Sequence, residues 1–255
     1  VLYCMDNETS TPVEWGRYWM RFIRERADAR GVTVYVTDMF DDVWRPQRSA
    51  KLRYALERPE AYPFLDISQV NSRTFNENHW ANVAWIAQER EAHPRPLNCV
   101  KIYSDGETRW GSGTPKDGVE RFWRNLIAGV AACRFHRPGA GIGLNDIAQG
   151  CIRAARLADD TAPFRRMKHR MDLLGDRDPD EAYLAARTGQ AYLLYFTDGG
   201  SVTLDLQAED GSFRLRWIDV AGGKFHDEQR RIAGGGTIPL HAPGTGGWVA
   251  VLTKQ

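Results

Sequence analysis

The sequence is short of several things. Its four cysteines, Cys4, Cys99, Cys133 and Cys151, form no C-x-x-C pair and have no neighbouring histidine pair. That argues against a disulfide framework or a zinc site, and three of the four fall inside apolar runs where a thiol packs as a small hydrophobe. No stretch of 18 apolar residues occurs, so no membrane-spanning helix is expected. Net charge is only +1 over 255 residues, so no global field draws the chain to nucleic acid or an anionic membrane. The Gly-rich segment 139–143 follows a strand and precedes a helix but lacks a P-loop's Lys-Ser/Thr and the G-x-G-x-x-G spacing, so it reads as a loop. Ser104 and Ser112 show no nucleophile-elbow pattern. No cofactor is expected.

What is present is a succession of short apolar runs that end on polar residues and are followed by helix signals. Val1–Met5 closes on Asp6-Asn7-Glu8, Val32–Thr37 on Asp38, Phe64–Ser68 near Gln69 and Asn71, Cys99–Tyr103 on Ser104-Asp-Gly-Glu107, and Ala131–Phe135 on His136. Between them, helical spacing predicts helices after Thr11-Pro-Val-Glu14, which reads as a capping box, and over 49–57, 77–91, 118–130 and 144–158. Alternating strands and helices build a parallel sheet, whose C-terminal strand ends form one rim. Five βα units are too few for a complete (β/α)8 barrel of about 250 residues. They suit either an open doubly wound sheet or strands 4–8 of a barrel, and the second is favoured because the first run leads straight into a rim-like acid.

From about Arg170 the pattern changes. Runs at 182–186, 191–196, 201–206, 212–219 and 248–253 are short and apolar, and Asp198-Gly-Gly200, Asp210-Gly211 and Gly222-Gly223 mark hairpin turns. The expected fold class is therefore α/β plus β: a partial TIM barrel over 1–165, then a small antiparallel β-sandwich over 166–255.

Two carboxylates across a cleft are the minimum for cleaving a glycosidic bond. Glu8 and Glu107 follow the first and fourth predicted strands, with Asp6 and Asp105 as local competitors. Sugar hydroxyls need paired donors and acceptors, and Asp38, Gln69, Asn71, Arg134 and His136 offer them at other strand ends. Arg134 and His136 share one side of their strand; if buried, Arg134 needs a carboxylate partner. His79 reads as a helix-start residue. Of nine Trp, Trp44, Trp80 and Trp110 lie near predicted strand ends and loops, where flat rings suit sugar faces.

The Asn7-Glu8 dipeptide after one strand, and Lys101-Ile-Tyr-Ser-Asp-Gly-Glu107 three strands on, resemble the large clan of retaining (β/α)8 glycosidases. The segment Arg121–Pro138, reading RFWRNLIAGVAACRFHRP, is similar to the strand-eight approach of apiosidase-like glycoside hydrolases. Tyr192–Leu206, Arg216–Asp219 and Gly247–Leu252 resemble the C-terminal β-domain labelled collagen-binding in that family. The resemblance implies a retaining hydrolase of poly- or oligosaccharides, secreted or periplasmic, with Glu8 as acid/base, Glu107 as nucleophile and Asn7 beside the substrate. A non-catalytic carbohydrate- or surface-binding protein, or an inactive fragment of such a hydrolase, is the alternative. Oligomeric state leaves no mark in the sequence.

Overall fold

A computed structural model describes residues 2–8, 10–103, 111–136 and 144–255. The first part runs β1 (Leu2–Cys4), α1 (Val13–Asp28), β2 (Tyr35–Thr37), α2 (Ala50–Leu56), β3 (Leu65–Asp66), α3 (Asn76–Glu89), β4 (Leu97–Ile102), α4 (Pro115–Ile127), β5 (Ala132–Phe135) and α5 (Asp146–Thr161). β1 pairs with β2, and β3 with β4 and β4 with β5, every pair parallel. Between the two ladders, the Thr37 hydroxyl donates to the Phe64 carbonyl at 2.8 Å. Each parallel pair needs a crossover, and the helices supply it.

Helix starts differ from the sequence reading in a physically simple way. α1 takes Pro12 as its N-cap, with no side-chain cap bond. Thr11 and Glu14 therefore stand one position out of phase for a capping box. The box forms instead at α4, where Thr114 and Asp117 cap each other and Pro115 takes the first turn. α3 buries Trp80, Val83 and Ala87 as its spacing predicts. α1 turns Trp15, Tyr18, Trp19 and Phe22 outward, each 37–53% exposed, and buries Gly16, Met20 and Ala27.

The remainder is antiparallel: β6 (Lys168–His169), β7 (Leu174–Gly175), β8 (Ala182–Arg187), β9 (Ala191–Phe196), β10 (Ser201–Asp205), β11 (Ser212–Asp219), β12 (Lys224–Ala233), β13 (Thr237–His241) and β14 (Trp248–Lys254). A six-stranded sheet, ordered β12-β11-β14-β9-β8-β6, faces a three-stranded one, β13-β10-β7. Side chains alternate across the pleat, and here both faces are buried. In β9, Tyr192, Leu194 and Phe196 join the core between the two sheets. Leu193 and Tyr195 join the core shared with the helices. That shared core runs across the expected 165/166 boundary without a break: the Trp123 ring of α4 stacks on Tyr195 at 5.4 Å, and Trp80 of α3 lies 4.8 Å from Tyr183.

Polar groups lock the same joint. Buried Arg124 bonds Glu120 and Asp180, each at 2.6 Å, and Glu77 accepts from Arg177, the Asp180 amide and Tyr183. Gly150 lets α5 approach the loop after β11, since a Cβ there would collide with the Ala221 carbonyl oxygen. Among the described residues, no helix is long and apolar enough to cross a membrane.

Candidate active site

The C-terminal ends of the parallel strands converge on a cleft of about 360 Å³. Glu8 comes from the turn after β1, Asp41 and Trp44 from the loop after β2, and Ser68, Gln69, Asn71, Ser72 and Arg73 from the segment after β3. Lys101 near the end of β4 and Tyr103 just past it complete that side, with Ser112 beyond. His136, at the end of β5, packs edge-on against Tyr103 at 5.0 Å between ring centres.

Glu8 has φ of +54° and Arg73 of +59°. Left-handed backbone disfavours side chains with a Cβ, and Asn and Asp tolerate it best. The other described non-glycine residues with positive φ are Asn76, Asp176 and Asp180. The two that are neither Asn nor Asp both line the cleft. Strain of this kind is of order 1–3 kcal/mol per residue and concentrates at functional sites.

The Glu8 side chain is 44% exposed and forms an ion pair with Lys101. Lys101 also donates to Asn7 Oδ1 at 2.6 Å. Burial alone would raise the Glu8 carboxyl. The Lys101 hydrogen bond and charge, a hydrogen bond with Gln69 and the charge of His136 outweigh it and hold Glu8 below the usual carboxylate range.

Gln69 and Trp44 line the cleft, but Arg45 lies over the Trp44 ring at 4.0 Å and Arg73 at 5.8 Å, so guanidinium groups occupy ring surface that a sugar would use. Asn7 stands behind Glu8 as an acceptor for Lys101. Asn71 reaches the cleft wall, but its amide is spent inside the protein. Its Nδ2 donates to the Ser68 and Lys101 carbonyls and to Cys99 Sγ, and its Oδ1 accepts from His79 and Asn125. Asp38 is 3% exposed and lies outside the cleft lining. Burial, opposed by a bond from the Met39 amide and reinforced by the charge of Asp6, pushes its carboxyl up to about 6. Gly16 packs against it, and a Cβ there would stand 2.7 Å from Asp38 Oδ2 and displace that carboxyl.

Arg134 is exposed rather than buried, because β5 ends its sheet and Arg134 lies opposite Phe135, the face that packs on α4. It sits 3.5 Å from His136, as a shared strand face requires. His79 is wholly buried in α3, and its Nε2–H donates to Asn71 at 3.0 Å. Burial, then the charges of Arg124 and Arg121, hold it neutral, well below the usual histidine range. Glu107, Trp110 and Asp105 lie outside the described residues, as does the 139–143 loop.

Sequence reasoning missed Lys101 and Arg73. The first had a signal: a lysine inside Cys99-Val-Lys-Ile-Tyr103, a run otherwise fit for burial, needs a partner for its charge. Arg73 had none, since its role depends on a backbone conformation. Among the described residues, no group of three or more His, Cys, Asp or Glu is arranged to hold a metal ion.

In fold, the chain is like the TIM-barrel glycoside hydrolases. A solved protein described as a glycoside hydrolase superposes with a TM-score of 0.62 at 14% identity, over 96% of this chain and 70% of that one. A family 5 glycoside hydrolase from Bacteroides vulgatus gives 0.53 at 16% identity, over 69% of this chain and 45% of that one. An alpha-amylase from H. orenii gives 0.54 at 10% identity, over the whole of this chain and 60% of that one. This chain thus spans 45–70% of the length of those proteins. No family model and no curated protein matches its sequence.

Proposed function

We propose that the chain is about strands 4–8 of a (β/α)8 glycoside hydrolase over residues 1–165, followed by a β-sandwich module over 166–255, and that it acts on a poly- or oligosaccharide with retention. Its family is the apiosidase-like one, with a C-terminal β-domain. Glu8 and Glu107 are the two carboxylates. Gln69, Trp44 and His136 are candidate substrate contacts at the rim.

The observation that carries this reading is Glu8 itself. It is held on left-handed backbone, partly open, in a cleft built from the ends of β1, β3 and β4, the edge where TIM-barrel enzymes place their chemistry. The fold neighbours support it.

In retaining hydrolysis, an ionised carboxylate attacks the anomeric carbon while the C–O bond to the leaving group breaks and the leaving oxygen takes a proton from the second carboxyl. Water then gives a proton to that second group, and its oxygen displaces the first carboxylate, releasing the sugar. The carboxyl groups should stand about 5–5.5 Å apart. The test is hydrolysis of a panel of plant and bacterial polysaccharides, comparing the wild type with Glu107→Gln. Loss of turnover with an unchanged melting temperature supports the reading, and full activity in the variant removes Glu107 from it.

A further inference from the structure

One end of the larger antiparallel sheet carries a row of arginines that the cleft chemistry does not use. In β11, Phe213, Leu215 and Trp217 enter the core between the two sheets, so Arg214 and Arg216 stand on the opposite face. The register extends that face from strand to strand. Arg231 of β12 lies opposite Arg214, Arg214 opposite Thr253 of β14, Thr253 opposite Ala191 of β9, and Ala191 opposite Arg187 of β8. Residues in register share a face, so the row Arg231, Arg214, Thr253, Ala191, Arg187 crosses the sheet over about 19 Å, at about 4.8 Å per strand step. The next row, Gln229, Arg216, Val251 and Leu193, runs into the core shared with the helices. The first row lies past that cover. Arg187, Arg214 and Arg231 are exposed, and the short side chains of Thr253 and Ala191 form the floor between them.

Like charges directly opposite on neighbouring strands repel, as Arg214 and Arg231 do. Among the described residues, none of Arg187, Arg214, Arg216 and Arg231 forms an ion pair, and Glu228 turns instead to Arg230 at 3.9 Å. Neutral groups orient the arginines. Arg214 donates to Gln255 Oε1 at 3.2 Å, and Arg231 Nε–H to Ser212 Oγ at 2.9 Å. Arg216 lies over the Phe225 ring at 3.3 Å, with its Nε–H buried and without a hydrogen-bond partner among the described residues.

We infer that this row is a binding site for an acidic polysaccharide, a uronate polymer laid across the strands with its carboxylates on the arginines. The inference deepens the hydrolase reading and rests on it for the choice of a sugar polymer among polyanions. A guanidinium presents paired N–H groups that match the two oxygens of a carboxylate. A carboxylate set between Arg214 and Arg231 replaces one repulsion by two attractions. The floor of Ala191 and Thr253 leaves room for a sugar ring, and the Thr253 hydroxyl both donates to and accepts from sugar hydroxyls. Net charge is +1, so the basic character is local to this face rather than a field of the whole chain. Among the described residues, the exposed large apolar side chains all lie outside residues 166–255. The row therefore has no apolar wedge for a bilayer and no aromatic platform on which bases could stack.

The test is calorimetric titration of the full chain with alginate oligomers as the uronate probe, and with the same oligomers after reduction of their carboxyls to alcohols. Alginate should bind, more weakly as salt rises, and the reduced oligomers at least about tenfold more weakly. Arg214→Ala combined with Arg231→Ala should weaken alginate binding by about tenfold or more with the melting temperature unchanged, since both side chains are exposed. A charge-matched control, Arg21→Ala with Arg30→Ala, should bind as the wild type does. Equal alginate binding by the row variant and the wild type overturns the proposal, as does equal binding of the reduced oligomers. Backbone ¹⁵N NMR locates the polymer. Alginate should shift the amide signals of Ala191, Thr253 and Gln255, and shifts confined to the residues around Glu8 place it in the cleft and defeat the inference. Double-stranded DNA or phosphatidylserine vesicles that bind through the row more tightly than alginate at equal salt assign another polyanion and defeat it too. None of these readouts needs turnover. A wild type inactive on every glycoside removes the hydrolase reading while the titration still decides the row, and an active enzyme whose row variant binds alginate normally loses the row alone.

Discussion

Strand β9 reads Ala191-Tyr-Leu-Leu-Tyr-Phe196 and buries five consecutive side chains, alternating between two cores. Strand β4 reads Leu97-Asn-Cys-Val-Lys-Ile102 and carries an asparagine and a lysine among its buried residues. Both are interior strands of their sheets. The first has nothing to do but fill space, and its neighbours cover it on both faces. The second ends at a cleft, and its polar residues face partners brought from other strands: Asn98 to Asp66 at 2.6 Å, Lys101 to Asn7 and Glu8. The antiparallel strands and the helices share one buried core, and the strand ends at the cleft carry charge, strain and access to solvent. That division is how a folded chain keeps a polar site in a fixed geometry.

Substitutions in each region separate the two. The largest effect belongs to the joint. Trp123→Ala removes a fully buried ring stacked on Tyr195 and should cost about 3–5 kcal/mol in urea unfolding, without altering the Glu8 titration. A loss below about 1 kcal/mol would mean that the two regions do not share a core. Next comes pH. His79 is buried neutral, so the unfolded chain binds a proton that the folded chain refuses once pH falls below about 6.5. Stability should therefore fall with acidification below that point, by up to about 1.4 kcal/mol per pH unit from this group. In His79→Gln that part of the slope should vanish. Smaller still is the cap: Thr114→Ala opens the capping box of α4 and should cost about 1 kcal/mol. The smallest effect is expected at the exposed face of α1, where Trp19→Ser in this chain should change stability by no more than about 0.5 kcal/mol.

How much of this was legible from the sequence depended on whether a strand's partner was apolar or polar. β9 and β14 announce themselves, because double burial demands uninterrupted apolar runs. β12, Lys224-Phe-His-Asp-Glu-Gln-Arg-Arg-Ile-Ala233, does not, because it is the edge of its sheet and its charges keep that edge from pairing further. β13 escaped for a related reason: Pro239 argues against a strand, and an edge strand tolerates it.

In the cleft, acids at strand ends could be read off the pattern. Their surroundings could not. Asn71 looks like a sugar ligand until His79 from α3 and Asn125 from α4 converge on its amide, and that convergence exists only in three dimensions. The Lys101–Glu8 pair joins residues 93 positions apart.

We propose that the cleft around Glu8 hydrolyses glycosidic bonds, and kcat/KM of the protein and of Glu8→Gln on a glycoside that the wild type cleaves, with both melting curves recorded, tests this. A catalytic Glu8 lowers kcat/KM at least about a hundredfold with the melting temperature unchanged. Equal kcat/KM in the two proteins would remove Glu8 from the chemistry.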